Sequence, residues 1–229
     1  MTPEKAYKYA RKHGPSDETR NIACRNPEFA YFYALKIDKC PRDDTRIAAC
    51  KDKSLEYAFL YAYDIDQGPH EDTRKASCRD PQWAYQYARE IDKCPRDDTR
   101  NAVLVDLDFV YDYALYVDKG PHEDTRNATC EEPEWVPLYA KNIDKCPRED
   151  TREAACRDSE SAYEYARDVD QKPRKDTREA ACKDPEYAYL YAKDVDKCFH
   201  QKTWEATENT EYEKEYDKLL NQIEKDKII

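Results

Sequence analysis

A Thr-Arg pair that recurs at a fixed spacing constrains the fold of this chain more than any other feature. The threonines of successive pairs are 26 residues apart, except for one step of 28. They are Thr19, Thr45, Thr73, Thr99, Thr125, Thr151 and Thr177. A fixed period of this length is typical of solenoids, in which each repeat is one supersecondary unit stacked on its neighbours. The longer step reflects an insertion near Lys53-Ser54, which we place at the turn inside one repeat.

Each repeat predicts a short helix, a break and a longer helix. The first helix, over residues 44–51 in the second repeat, begins with acidic residues, which suit the positive end of a helix dipole. An Asn-Pro or Asp-Pro pair then breaks the chain, as at Asn26-Pro27. The polar residue can cap the next helix, and proline can occupy its first position, where no N–H donor is needed. The second helix should have about 12 residues.

Columns of tyrosine and alanine in the second helices predict the core. The tyrosines are Tyr33, Tyr61, Tyr87, Tyr113, Tyr139, Tyr165 and Tyr191, and each is followed directly by an alanine. In the first of these helices, Ala30, Tyr33 and Ala34 lie at i, i+3 and i+4, which places them on one face. A single repeat is too small to bury this face alone. Stacking of repeats is therefore obligatory.

The repeats predict an all-α protein, a right-handed superhelical α-solenoid of about seven helical-hairpin repeats with terminal caps. We expect a truncated N-terminal capping repeat over residues 1–14 and seven tandem repeats over residues 15–198. A C-terminal capping helix should follow over residues 199–229, where Thr210 and Glu213 stand in capping-box relation. With helices packed about 8–10 Å apart, the array should form a curved rod about 65–75 Å long.

The segments Asp-Thr-Arg-x-Ala-Ala-Cys-x-Asp-Pro and Ala-Tyr-x-Tyr-Ala resemble short tandem α–α repeats of the HEAT-like and leucine-rich-variant kind. The resemblance covers residues 1–198, although tyrosine columns replace the leucines usual in those repeats. It implies the architecture and a role as a binding scaffold, and it transfers no site residue. The nearly identical repeats also indicate recent duplication, which is common in fast-evolving genomes, viral ones among them.

The ten cysteines fall at two positions of the repeat. Six end the first helices: Cys24, Cys50, Cys78, Cys130, Cys156 and Cys182. Four end the second helices: Cys40, Cys94, Cys146 and Cys198. The most regular pairing, such as Cys24 with Cys40, would span a helix of about 18 Å by helical rise, whereas a disulfide needs Cα atoms within about 7 Å. No Cys-x-x-Cys pair suggests zinc. We expect small buried thiols, with no metal and no cofactor.

Seven arginines of the Thr-Arg pairs and seven aspartates at the ends of the second helices form another repeated set. They lie eight residues apart across the turn between repeats, as Asp38 and Arg46 do. We expect a ladder of ion pairs that fixes the angle between repeats. The alternative is a row of arginines presented to phosphates or carboxylates, since the forked guanidinium matches both, with the nearby aromatic residues stacking on RNA bases.

The net charge of −11 argues against direct nucleic-acid binding, which relies on cations that displace counterions. It leaves open an acidic nucleic-acid mimic. The four histidines, His13, His70, His122 and His200, fall in linkers or the final connection, and no nucleophile motif or Gly-rich phosphate loop is present. We do not expect an enzyme. No apolar run reaches the roughly 20 residues of a membrane span, and we expect a cytoplasmic, reducing location without membrane association.

The largest departure from the repeat lies in its middle and predicts a partner-binding patch. There the usual cysteine and Asp-Pro give way to Val105, Leu107 and Phe109, and Trp135 follows in the next repeat. Pro137, several residues into a helix, predicts a kink or altered packing. Apolar and aromatic anchors often dominate binding energy. We therefore expect a scaffold that binds a protein partner, as an inhibitor or adaptor; the alternatives are acidic mimicry and a self-assembling structural array.

Overall fold

The computed structural model describes residues 1–51 and 55–226, and within these ranges it contains helices and no strand. The predicted all-α fold is confirmed. The chain divides into two compact units, Met1–Asp118 and Lys119–Ile229. The insertion near Lys53-Ser54 and the last three residues of the predicted capping helix, 227–229, lie outside the described residues. Over the described ranges, no helix combines the length and the apolar character that crossing a membrane requires.

The first helices of the repeats are seven to nine residues long and begin just before or at the acidic residues that precede Thr-Arg. In the unit Met1–Asp118 they are α2 (Asp17–Ala23), α4 (Asp43–Ala49), α6 (Glu71–Ser77) and α8 (Asp97–Val103). In the unit Lys119–Ile229 they are α10 (Glu123–Glu131), α12 (Glu149–Ala155), α14 (Lys175–Ala181) and α16 (Gln201–Thr207).

The second helices contain an α-helical segment, which in all but the Pro137 repeat begins the helix. In the unit Met1–Asp118 they are α3 (Pro27–Tyr33), α5 (Leu55–Tyr61), α7 (Pro81–Tyr87) and α9 (Leu107–Asp112), preceded by α1 (Pro3–His13). In the unit Lys119–Ile229 they are α11 (Val136–Tyr139), α13 (Ser159–Tyr165), α15 (Pro185–Tyr191) and α17 (Glu213–Asp226). Asn26 caps α3 by accepting a hydrogen bond from the Phe29 N–H, and Pro27 takes the first position, as the Asn-Pro pair predicts.

Each second helix of the seven repeats ends in a π-helical turn, which the sequence did not predict. These turns are Ala34–Asp38, Ala62–Asp66, Ala88–Asp92, Tyr113–Asp118, Ala140–Asp144, Ala166–Asp170 and Ala192–Asp196. In the first repeat the Lys39 N–H donates to the Ala34 carbonyl over 2.8 Å, and Lys39 itself has a left-handed backbone with φ 55°. A lysine or glutamine holds this left-handed position in all seven repeats. The left-handed residue ends the helix and turns the chain toward the next repeat.

Packing between adjacent helices follows one pattern in each unit. In the first unit, Tyr31 and Ala34 of the first repeat pack with Ala49 of α4 and Tyr61 of α5. In the second unit, Val136 packs with Ala155 and Tyr165 of the following repeat. Each cluster therefore joins a second helix to both helices of the next repeat. This is the obligatory stacking of an α-solenoid.

Residues 199–226 form two helices, α16 and α17, that repeat the contacts of the tandem units. Thr203 and Tyr216 are both fully buried, and their hydroxyls lie 2.8 Å apart. Thr203 is followed by Trp204 where the other repeats have arginine. The C-terminal region is therefore a helix pair built on the Thr–Tyr contact, with Thr210 accepting a hydrogen bond from the Tyr212 N–H before α17 begins.

Pro137 changes its repeat as the sequence predicts. The second helix there starts with a 3-10 turn, Pro133–Trp135, and the α-helical part shortens to α11. Pro137 is itself buried. The altered local structure follows from proline's missing N–H donor and its clash with the preceding turn.

Candidate interface on the second helices

The Thr-Arg pair serves the core of each repeat. In the second repeat the Tyr61 ring is fully buried, and its hydroxyl lies 2.8 Å from the Thr45 hydroxyl. The Arg42 N–H donates to the same tyrosine oxygen over 3.0 Å. The corresponding pairs are Thr19–Tyr33, Thr73–Tyr87, Thr99–Tyr113, Thr125–Tyr139, Thr151–Tyr165 and Thr177–Tyr191. Because a buried phenol without a partner is costly, the threonine hydroxyl and the Arg42 backbone together satisfy the Tyr61 hydroxyl.

The seven arginines form ion pairs, as predicted. The partners predicted from the sequence are wrong. Arg46 donates from Nε and Nη2 to Asp66, with Nη2 at 2.7 Å from Oδ1, and both side chains are 7% exposed. The expected partner was Asp38, which instead pairs with Arg20. The other pairs are Arg74–Asp92, Arg100–Asp118, Arg126–Asp144, Arg152–Asp170 and Arg178–Asp196. The second helix runs back along the first, so its final aspartate reaches the arginine of its own repeat.

Six of these arginines, all except Arg126, also lie over the buried tyrosines, as Arg46 does at 5.6 Å from the centre of the Tyr61 ring. The hydrogen bond that Arg46 donates to Asp66 is the main reason that the pKa of Arg46 is raised above its usual range. A guanidinium held by a carboxylate and a ring has no free face for a phosphate. The alternative prediction, in which these arginines are presented to a nucleic acid, is therefore wrong.

The cysteines divide into two classes by exposure. The six at the ends of first helices are buried or half-buried, and burial raises the pKa of Cys24 to about 11 and that of Cys50 to about 12. The four in the linkers, Cys40, Cys94, Cys146 and Cys198, are exposed, which corrects the expectation that all ten are buried. All ten are free thiols.

Three of the four histidines cap first helices. His70 Nδ1 accepts a hydrogen bond from the Asp72 N–H over 3.2 Å, and His122 and His200 make the equivalent bond. His13 stacks on Tyr9 with ring centres 4.3 Å apart. Among the described residues, no group of three His, Cys, Asp or Glu side chains could hold a metal ion.

The second helices present a surface that combines carboxylates with apolar and aromatic side chains. In α3 and its π turn, Glu28, Phe32 and Leu35 lie at i, i+4 and i+7, which places them on one face. Glu56, Leu60 and Tyr63 repeat this arrangement, and Tyr63 is 55% exposed. We call the face that these positions share the second-helix face.

Aromatic rings fill the grooves between neighbouring second helices. In the unit Met1–Asp118, one ring of each helix contacts a ring near the start of the next second helix, with ring centres 5.5–6.1 Å apart. These pairs are Tyr7–Phe29, Tyr31–Tyr57, Phe59–Trp83 and Tyr85–Phe109. In the unit Lys119–Ile229, Tyr163–Tyr187 and Tyr189–Tyr212 lie at 6.2 and 6.0 Å. The rings at the starts of these helices, such as Tyr57 and Trp83, are half-buried and keep an accessible edge.

In most of the second helices, the second residue is a carboxylate, and it lies beside these rings. In the first unit they are Glu28, Glu56 and Asp108. Burial, Glu28 and Glu56 raise the pKa of Tyr57. In the second unit Glu160 and Glu186 lie beside Tyr187 and Tyr212, where burial and these carboxylates raise both tyrosine pKa values. Rings and carboxylates thus lie side by side in each unit, although Gln82 interrupts the carboxylates in the first.

The four residues predicted to bind a partner occupy different settings. Val105 lies in the turn between α8 and α9 and is 82% exposed. Leu107 begins α9 and is half-buried. Phe109 packs against the core cluster around Tyr85 and Tyr113, so it is one of the groove rings. Trp135 ends the 3-10 turn of the second unit and is half-buried.

The sequence prediction missed the second-helix face. Its signal was present in the i, i+4, i+7 spacing of Glu28, Phe32 and Leu35, opposite the core positions. The prediction of a binding patch relied on departures from the repeat instead, and these lie in the middle of the chain. Comparison with protein-family models, with curated proteins and with solved structures finds no match for this chain.

Proposed function

We propose that this protein is a non-catalytic scaffold that binds a protein partner through its second-helix face, as an inhibitor or adaptor. The observation that carries the proposal is the exposure of Tyr63 on that face, beside half-buried side chains such as Phe32 and Leu60 that also pack against the core. Tyr61 fills the core of its repeat completely, whereas Tyr63, two residues later, is 55% exposed. Exposed aromatic side chains are typical of protein interfaces.

Two further points support this proposal. The resemblance to HEAT-like and leucine-rich-variant repeats implies a binding scaffold. Two of the groups that could suggest chemistry have structural roles: the seven arginines pair with aspartates, and His70 and its equivalents cap helices. Val105 is a separate candidate anchor in the first unit, because its side chain is 82% exposed.

The test is quantitative affinity capture from cells of the native host with three matched variants. Tyr63→Ser removes an aromatic side chain from the second-helix face, and Val105→Ser removes the exposed residue of the predicted patch. Ile47→Ser is the control, because Ile47 is 50% exposed on the first helix α4. We expect Tyr63→Ser to weaken capture of a specific protein by about tenfold, the effect of losing one interface anchor. Ile47→Ser should leave it unchanged.

Other outcomes would favour the alternatives. A captured protein that is released by duplex DNA and is insensitive to Tyr63→Ser would indicate acidic mimicry of nucleic acid. Recovery of this chain alone, in oligomers, would indicate a self-assembling array. Equal loss of capture in the Tyr63 and Ile47 variants would remove the second-helix face as the binding site.

A further inference from the structure

The fifth repeat, which contains Pro137, has a less complete set of buried hydrogen bonds than the others. The Oδ2 atom of Asp144 is buried and, among the described residues, accepts no hydrogen bond. Arg126 donates from both Nε and Nη2 to the other oxygen, Oδ1, over 3.1 and 2.8 Å. The Asp144 side chain is only 1% exposed. A buried polar atom that lacks a protein partner lowers the stability of the structure around it.

In the other six repeats the arginine donates to both oxygens of its aspartate. In the sixth repeat Arg152 donates from Nε to Oδ2 of Asp170 over 3.0 Å and from Nη2 to Oδ1 over 2.8 Å. The corresponding pairs are Arg20–Asp38, Arg46–Asp66, Arg74–Asp92, Arg100–Asp118 and Arg178–Asp196. Two parallel hydrogen bonds fix the orientation of a guanidinium, whereas contact with one oxygen does not. The arginine of the fifth repeat is therefore held less firmly.

The core tyrosine of the fifth repeat is also held by fewer short hydrogen bonds. In the sixth repeat the Arg148 N–H donates to the Tyr165 hydroxyl over 3.0 Å, and that hydroxyl lies 3.1 Å from the Arg148 carbonyl oxygen. In the fifth repeat the Tyr139 hydroxyl lies 3.5 Å from the His122 carbonyl oxygen. Over residues 1–51 and 55–226, the His122 N–H makes no bond to this hydroxyl. Only the contact with Thr125, at 2.8 Å, is retained unchanged.

Pro137 also removes a contact between aromatic rings. In the sixth repeat the equivalent residue is Tyr163, whose ring centre lies 6.2 Å from that of Tyr187 in the next repeat. Between the fifth and sixth repeats the same two positions hold Pro137 and Ser161, so no ring pair can form there. Ring pairs stabilise a structure beyond the area that they bury. Proline moreover lacks the N–H donor of a regular helix, and the second helix here starts with the 3-10 turn Pro133–Trp135.

These differences all weaken the contacts of one helix. Local opening of a protein requires the least free energy where buried hydrogen bonds and packing contacts are fewest. We propose that the fifth repeat, residues 123–144, opens locally more readily than the sixth and seventh repeats of the unit Lys119–Ile229, with its second helix separating from α10. Opening would uncover Val136 and Tyr139, whose side chains are fully buried in the closed repeat. This conformational change is separate from the proposed binding function.

Hydrogen–deuterium exchange of the full chain, resolved by peptide mass spectrometry, tests the proposal. After correction for intrinsic rates, the amides of α11 and the π turn Ala140–Asp144 should exchange about tenfold faster than those of α13 and Ala166–Asp170. This difference corresponds to the loss of about one hydrogen bond. The seventh repeat should match the sixth. Equal protection of the fifth and sixth repeats would overturn the proposal.

Pro137→Tyr tests the cause of the opening. The variant carries the residue that the sixth repeat has at this position, and it restores both a backbone N–H and a ring. We expect exchange in the fifth repeat to slow by about threefold or more, with the sixth repeat unchanged. Exchange that stays fast in a folded Pro137→Tyr variant would show that proline is not the cause.

A second pair of variants gives a result even if Pro137→Tyr does not fold. Asp144→Asn and Asp170→Asn remove the same charge from equivalent positions, but Asp170 accepts hydrogen bonds at both oxygens and Asp144 at one. We expect Asp170→Asn to accelerate exchange of its repeat by about tenfold and Asp144→Asn to do so by less than about threefold. Equal acceleration by the two variants would contradict a weaker network in the fifth repeat.

Discussion

At the residue scale, four side chains repeat as one buried unit in each of the seven repeats: threonine, arginine, tyrosine and aspartate. In the third repeat Arg74 pairs with Asp92 over 2.8 Å, and their side chains are 12% and 1% exposed. A buried ion pair adds little net stability compared with an apolar pair, but either charge alone is costly. The conserved spacing within this chain therefore reflects the need to keep both partners together.

This view predicts the outcome of a double-mutant cycle at Arg74 and Asp92. Arg74→Leu alone leaves the Asp92 carboxylate buried without its cation, and should lower the free energy of unfolding by about 3–5 kcal/mol. The double variant Arg74→Leu/Asp92→Leu should recover most of that loss, as measured by urea denaturation. A double variant less stable than the single one would show that the ion pair itself stabilises the repeat.

Cysteine reactivity should follow the two exposure classes. The thiolate is the reactive form, and burial raises the pKa of the first-helix thiols, for example to about 12 for Cys78 and about 11 for Cys156. Iodoacetamide applied to the native protein should therefore label Cys40, Cys94 and the two other linker cysteines first. Peptide mass spectrometry measures the site of labelling, with urea-unfolded protein as the control in which all ten react. Early labelling of Cys50 would contradict its burial.

At the element scale, the sequence predicted the helices and their starts better than their ends. The second helix of the first repeat runs from Pro27 through the π turn to Asp38, which matches the predicted length. The π turn was not predictable, because no glycine marks the left-handed residue that ends it. Lysine or glutamine takes that position in all seven repeats, and the glycines at 68 and 120 come one residue later.

A lysine in the left-handed conformation should stabilise the protein less than a glycine at the same position. Lys93 has φ 55° and is exposed, so Lys93→Gly removes the steric cost of a Cβ atom in this region. We expect the free energy of unfolding to rise by about 0.5–1 kcal/mol. Lys75→Gly is the matched control within the helix α6, where glycine should lower stability by about 1 kcal/mol. Thermal or urea unfolding compares the two, and a destabilising Lys93→Gly would contradict the backbone geometry.

The candidate site was predicted less well than the fold, for a reason visible in particular residues. Asp38 is eight residues from Arg46 in sequence, yet the antiparallel return of the second helix gives Arg46 the more distant Asp66. Sequence distance is therefore a poor guide to pairing between helices. The interface prediction relied on unusual residues such as Val105, whereas the second-helix face consists of regular ones, Glu56 and Tyr63 among them.

At the scale of the whole molecule, the two kinds of helix have different roles. The first helices supply the buried Thr-Arg pairs, and their acidic residues are largely neutralised by arginines, as Asp43 is by Arg46. The second helices supply the core tyrosines on one side and the acidic, aromatic second-helix face on the other. Binding at that face would leave the buried network of each repeat unchanged. Under the proposed function, partner recognition and stability would be carried by different residues.

Site-specific photocrosslinking in cells of the native host tests this division most directly. A benzophenone amino acid placed at Tyr63 reports on the second-helix face, and one placed at Ile47 reports on the first helices; the two native side chains are 55% and 50% exposed. Binding at the second-helix face predicts a discrete crosslinked protein from position 63 and none from position 47. A crosslink from position 47 alone would contradict it.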